Sequence, residues 1–281
     1  MRIYVGTKNQ NEKQFRTLKE AKEFIEENDI NEEIEVIFEE GRYTFSETVR
    51  FNENDKPCVY RAEEGKKVYF DGGITLDNNL VKKVSDSEVL ERIIEESARE
   101  NIYEIDLSGY DIDLGEYGAR GFRHPYIPSP NELFIDSVPQ TIARYPKNDY
   151  IPLGNVIDAG SEPIHGDFSM RGGIFGYDGE RGNKWEGATD AYVSGFFSNC
   201  YADDTIKVEK IDKENRTIKL AMPALGGLKL VHEHRWRIVN LLEEIGEPGE
   251  YFIDREAKKL YFYPENDPKD AFLQLSVLKT P

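Results

Sequence analysis

Short runs whose side chains alternate with a period of two recur along this chain, the pattern of strands. The clearest case is 250–264, EYFIDREAKKLYFYP, where Tyr251 and Ile253 alternate with Phe252 and Asp254, and Leu260 and Phe262 with Tyr261 and Tyr263. The charged link 255–259 is short enough for a hairpin, with Pro248–Gly249 at its entry and Pro264 at its exit. Aromatic residues dominate both arms, so the pattern predicts a hairpin packed on both faces, a core element and not a chemical one.

Further strands are predicted at 2–5, 35–38, 42–45, 48–51, 58–61, 67–70 and 102–107, punctuated by Gly41, Pro57 and Gly72–Gly73. Two segments switch to the helical period. In 17–28, TLKEAKEFIEEN, residues Leu18, Ala21, Phe24 and Ile25 share one face, and Thr17 with Glu20 makes a capping box. A second helix is predicted over 85–99, capped by Ser85 or Asp86, with Val89, Ile93 and Ile94 apolar. After a Gly-, Tyr- and Pro-rich loop at 109–130, LFIDSVPQTIARYP reads as a hairpin of 132–136 and 140–145. Residues 146–183 have weak periodicity and many glycines, and are expected as an ordered, irregular excursion. Strands at 188–197, 205–211, 217–222 and 236–240 then predict a small antiparallel β-domain, with a turn at 212–216. A short helix at 240–247 leads into the aromatic hairpin, and 271–277 is the last strand.

Composition narrows the partners. The 281 residues suffice for one large or two ordinary domains, and 36 Lys and Arg against 54 Asp and Glu give a formal charge of −18. That surface repels phosphate backbones and anionic membranes, so neither nucleic acid nor a membrane is expected as a partner. It also disfavours anionic polysaccharides unless a cation mediates. Plentiful Tyr (16) and Phe (15) suit both β structure and sugar-stacking surfaces, and core packing explains them equally. Cys58 and Cys200 make no disulfide framework and are expected reduced and buried, a single bridge being the alternative. MRIYVGTKNQ has no apolar signal core. The expected location is cytoplasmic if Met1 is the native start, and extracellular if a signal peptide was removed.

Several residues are candidates for chemistry, each beside a plainer reading. Arg144 ends an apolar strand, where a guanidinium holds a sugar hydroxyl or carboxylate, or an ion pair bracing the following domain. Trp185, Asp190 and Tyr192 open the second strand block. An indole beside a carboxylate suits a pyranose ring, and domain core is the alternative. His124, in FRHPYIP, sits in a loop where it can line a cleft. His232 and His234 flank Glu233 and begin a metal site only if further ligands exist; none is evident, so no metal is expected. Gly172–Gly173 and Gly226–Gly227 lack the Lys-Ser/Thr ending of phosphate loops and read as turns.

The order of these blocks carries a resemblance. The first strand, the TLKEAKEFIEEN helix, IEVIFEEGRYTFSETVRF and VYRAEEGKKVYFDGG resemble the N-terminal cap and first coils of right-handed parallel β-helix proteins of the pectin-lyase-like superfamily. LFIDSVPQTIARYP is similar to the motif before the inserted domain of glycoside hydrolase family 141 and its relatives, and TDAYVSGFFSNCYADDTIKVEKIDKENRTIKL to that domain. NLLEEIGEPGEYFIDREAKKLYFYP resembles the hairpin that returns the chain to the β-helix.

The resemblance implies a mostly β fold: the start of a right-handed parallel β-helix with an N-terminal capping helix, plus an inserted small antiparallel β-domain. The implied divisions are 1–145, 146–248 and 249–281. It implies a polysaccharide or oligosaccharide partner, no cofactor, and a glycosidase whose paired carboxylates lie on later coils, so no catalytic residue is assigned here. Family members continue beyond the hairpin, so this chain is expected to be the inactive N-terminal part of a longer enzyme. A polysaccharide lyase of the same fold and a non-catalytic glycan-binding or scaffold protein are the alternatives.

Overall fold

The computed structural model describes residues 1–6, 13–128, 130–230 and 234–279, and the chain divides into two compact units, Met1–Ile74 with Ser276–Pro281, and Thr75–Leu275. It is mostly β, with several sheets and few helices.

In the first unit the capping box forms. Thr17 Oγ1 accepts from the Glu20 amide at 3.2 Å, and Glu20 Oε2 accepts from the Thr17 amide at 3.4 Å. The helix Leu18–Glu27 buries Leu18, Ala21 and Ile25 against Ile3, Val5, Val36 and Phe38, while Phe24 packs at the edge on Phe15. Arg2–Val5, Ile34–Phe38 and Cys58–Ala62 lie side by side and parallel, with Val36 opposite both Ile3 and Tyr60. Gly41–Thr44 and Val68–Asp71 form a second parallel pair, Arg42 opposite Tyr69. Parallel neighbours require a crossover: the helix lies between Arg2–Val5 and Ile34–Phe38, while from Ile34–Phe38 onward the strands Gly41–Thr44, Cys58–Ala62 and Val68–Asp71 alternate between the two sheets. The strand predicted at 48–51 does not form: Val49 packs on the core, but Phe51 is left exposed beside Tyr60 and the chain turns at Asn52–Asp55.

In the second unit the aromatic hairpin stands where the pattern put it. Glu250–Asp254 pairs with Lys259–Tyr263, Tyr251 opposite Phe262 and Ile253 opposite Leu260. It is central in a sheet that continues through Tyr103–Asp106 to Lys82–Lys83 on one side and Thr141–Ile142 on the other. Both faces are covered, with Phe252 and Tyr261 in a cluster with Ile93, Ile102, Leu242 and Ile245. The helix predicted over 85–99 is shorter. Asp86 caps Ser87–Arg92, and the chain restarts as a 3-10 turn at Glu96–Asn101. The break has a cause, because the Ile94 amide donates to the Glu243 carbonyl at 3.1 Å and so leaves the helical ladder.

The second strand block is a closed barrel. Ile174–Gly176, Thr217–Leu220, Asp203–Asp212, Tyr192–Phe196 and Arg235–Val239 pair in that order, all antiparallel. Residues 151–158 then bond to both ends of this row: Ile151 lies opposite Trp236, and Val156 opposite Phe175. Register shifts at Val156/Asp158 and Val208/Lys210 supply the bends that closure needs. Phe175, Val193, Ile206, Ile218, Leu220, Trp236 and Ile238 fill the interior. The excursion expected at 146–183 therefore contains the closing strands, which are two or three residues long and invisible to a periodicity test. Cys58 is half-buried and Cys200 exposed, and the two form no disulfide; the expected burial of Cys200 fails because it lies in the turn after Phe197.

Glycine makes closure possible at Gly172, where a Cβ would lie 1.8 Å from the Leu220 carbonyl oxygen. Gly172→Ala is expected to destabilise by about 1–3 kcal/mol through forced separation of these backbones. Gly109→Ala, with nothing within 4 Å of the new Cβ, should leave the melting temperature unchanged. Thermal unfolding of the two variants checks the contrast.

Candidate functional site

The barrel pleat sorts side chains to two faces. Along Arg235–Val239 the buried Trp236 and Ile238 point inward, so Arg235, Arg237 and Val239 point outward. Residues opposite one another share a face, which places Phe196 beside Arg235, Ser194 beside Arg237, and both Tyr192 and Arg144 beside Val239. Thr205 continues the row, its Oγ1 donating to Ser194 Oγ at 3.0 Å. Tyr150 packs edge-on against Phe196, with the guanidinium groups of Arg237 and Arg235 over its ring at 4.7 and 5.7 Å.

Three of the sequence candidates gather here. Arg144 donates from Nε to the Lys147 carbonyl at 2.8 Å, and among the described residues no carboxylate pairs with it, so the expected bracing ion pair is absent. Burial, and next the repulsion of Arg237, hold its pKa below the ordinary value, though a guanidinium remains charged. Asp190 accepts from Asn240 Nδ2 at 2.9 Å and Arg255 Nη1 at 3.2 Å, which joins the barrel to the aromatic hairpin. Tyr192 is 1 % exposed, stacked on Tyr117 at 4.7 Å, its hydroxyl accepting from the Gly118 amide. Asp190 and Tyr192 thus build the floor of the face. Tyr117 is raised by burial, opposed by the nearby charges of Arg120, Arg237, Arg255 and Arg144.

Trp185 lies on the other side of the barrel wall. It is 2 % exposed, and its Nε1 donates to Glu244 Oε1 at 2.7 Å. Enclosed by the tilted rings of Tyr145 and Tyr177 and by Trp236 in an edge-to-face contact, it presents no open platform for a ring in solvent. Its rim instead helps line a cavity of about 290 Å³ with Tyr145, Tyr177, Trp236, Arg181 and Asp178. Arg181 is held rigid there, with Nε and Nη2 on the two Glu244 oxygens at 2.9 and 2.7 Å, and Nη1 on Glu95.

The histidines do not assemble a site. His124 is apart from Arg144, with Nε2 at 2.5 Å from Asp204 Oδ1, while Asp204 Oδ2 accepts from the Leu225 amide. His234 is buried and donates from Nδ1 to the Lys229 carbonyl, and His232 and Glu233 lie outside the described residues. Among the described residues no group of three or more His, Cys, Asp or Glu is placed to hold a metal ion, and no helix is long and apolar enough to cross a membrane.

Sequence reasoning passed over Arg237, Arg255 and Tyr150. The alternation in RWRIV already put Arg237 on the face opposite Trp236. Arg255 was hidden in the charged hairpin link, because only the fold brings it to Asp190.

The hydrogen bond to Asp204 raises the His124 pKa above 6.5, with burial opposing. A group raised on folding stabilises fully below its unfolded pKa and ceases to do so as pH rises through the folded one. Titration of the His124 ring by NMR should give a midpoint above 6.5 that falls in Asp204→Asn; a midpoint at or below 6.5 contradicts the pair.

No protein-family model and no curated protein sequence matches the chain. Among solved structures it is similar to a "Glycoside hydrolase", with a TM-score of 0.61 and 16 % sequence identity over 97 % of this chain and 45 % of that one. The chain therefore shares a glycoside hydrolase-like fold while spanning less than half the length of that protein.

Proposed function

We propose that this chain is the N-terminal part of a carbohydrate-active enzyme, a glycoside hydrolase of right-handed parallel β-helix type, in which the barrel holds the glycan. The single observation that carries the reading is the match of 97 % of the chain to a solved glycoside hydrolase. The resemblance to family 141 rests on the sequence blocks alone, and the parallel strands of the first unit support it. In these, Ile34 lies opposite Cys58 and Gly41 opposite Val68, one coil apart, with the helix Leu18–Glu27 packed on the strands as a cap. The outer edge strands Cys58–Ala62 and Val68–Asp71 carry exposed Val59, Tyr60, Tyr69 and Phe70, a surface suited to another coil. Acid and base carboxylates would then come from coils beyond residue 281.

The cavity beside Trp185 is where a neutral sugar fits best. Its volume of about 290 Å³ approaches that of small-molecule sites, and it combines aromatic walls with one exposed carboxylate, Asp178, and one fixed guanidinium, Arg181. A second reading, a polysaccharide lyase, is favoured by the arginines of the outer face, since lyases act on uronates.

Ligand-observed NMR with a panel of neutral oligosaccharides should detect binding to this chain, weakened about tenfold in Asp178→Ala by loss of a charge-assisted hydrogen bond. The same preparation should release no reducing ends from any of them. Absence of binding across the panel removes the neutral-sugar reading of the cavity, and detectable hydrolysis removes the assignment of catalysis to later coils.

A further inference from the structure

On the outer face of the barrel Arg144 and Arg237 have no carboxylate partner among the described residues, although the chain has 54 carboxylates to draw on. Arg237 makes no hydrogen bond or ion pair with any described residue, and its Nε is buried. Arg144, diagonal to it across the strand pair, gives only Nε to a backbone carbonyl. Arg255 is 9 % exposed, and its Nη1 reaches Asp190, Asn240 Oδ1 and the Ile253 carbonyl. Its Nε and Nη2 are buried without a partner. A buried donor on a cation, left without an acceptor, costs more than an unmade neutral bond, so these three donors on Arg237 and Arg255 describe a site awaiting an acceptor.

We propose that this arginine face binds the carboxylate of a uronic sugar residue of a glycan. The inference rests on the glycan reading and adds the substrate class. A planar carboxylate matches the guanidinium fork, the Tyr150 and Phe196 rings beside it suit the apolar face of a pyranose, and the Ser194–Thr205 hydroxyl pair suits its hydroxyls. The formal charge of −18 repels a dense polyanion, so the face reads an isolated uronate and not a continuous run of them.

Calorimetric titration of the full chain with uronic trisaccharides, each matched with its carboxyl-reduced neutral counterpart, tests the assignment. The acidic sugar should bind about tenfold or more tightly than its neutral match, and Arg237→Gln should remove that advantage. Arg237→Lys keeps the charge without the fork and should retain part of it. Arg237 has no hydrogen bond to a described residue, only the contact of its guanidinium with the Tyr150 ring, so circular dichroism should be unchanged and melting should fall by no more than about 4 °C in either variant. Equal affinity for the matched sugars, or an acidic preference that survives Arg237→Gln, overturns the proposal. Inorganic sulfate binding as tightly as the uronic sugar also overturns it, because an oxyanion alone would then suffice. Neutral sugars bound equally by all three proteins would leave the glycan reading standing while this inference fell; binding of no sugar at all would remove both.

Discussion

A carboxylate with no exposed surface fixes the geometry of the second unit. Glu244 lies in the short turn between the last barrel strand and the aromatic hairpin, 0 % exposed, and accepts from Arg181 twice and from Trp185 once. Its neighbours repeat the device: Glu243 pairs with Arg92 at 2.8 Å, and Glu250 with Lys147 at 2.8 Å while accepting from the Gly246 and Glu247 amides. Burying an ion pair adds little net stability, but removing one partner leaves an uncompensated charge at a cost of about 3–5 kcal/mol. These pairs act as alignment pins. They fix where the barrel meets the hairpin, and Glu244 holds Arg181 and Trp185 together.

That alignment makes the two faces of the barrel wall chemically different. Inside, the seated Trp185 and Arg181 shape an aromatic cavity. Outside, the same strands bring Arg144 and Arg237 together against their mutual repulsion, and the hairpin supplies Arg255. A surface that is acidic overall thus contains a local basic face enclosed by tyrosines, where the lower dielectric strengthens its attraction for an anion. The negative net charge therefore does not exclude an acidic sugar from this face, because fields near a ligand are set by nearby groups and only weakly by distant screened ones.

What was legible in the sequence was local. The capping box at Thr17 and Glu20, the alternation in EYFID and KLYFY, and the strands of the second block all follow from nearest-neighbour patterning, and they form. Closure of the barrel was not legible, since Ile151–Pro152 and Val156–Asp158 are too short for a period and acquire their strand character from partners far along the chain. The same limit applies to the candidates. Arg144 and Asp190 were visible as polar residues beside apolar strands, but Trp185 looked like a sugar platform until Glu244, Tyr145 and Trp236 enclosed it. Arg255 and Glu244 read as ordinary charges because burial, which gives each its meaning, is a tertiary property.

The most direct test of the account is a crystal structure of this chain soaked with an oligosaccharide that it binds in solution. The account predicts a sugar ring against the barrel, in the cavity bounded by Tyr177 and Trp185 or across Tyr150 and Arg237. Sugar seated only on the strands of the first unit, with the barrel empty on both faces, would contradict it.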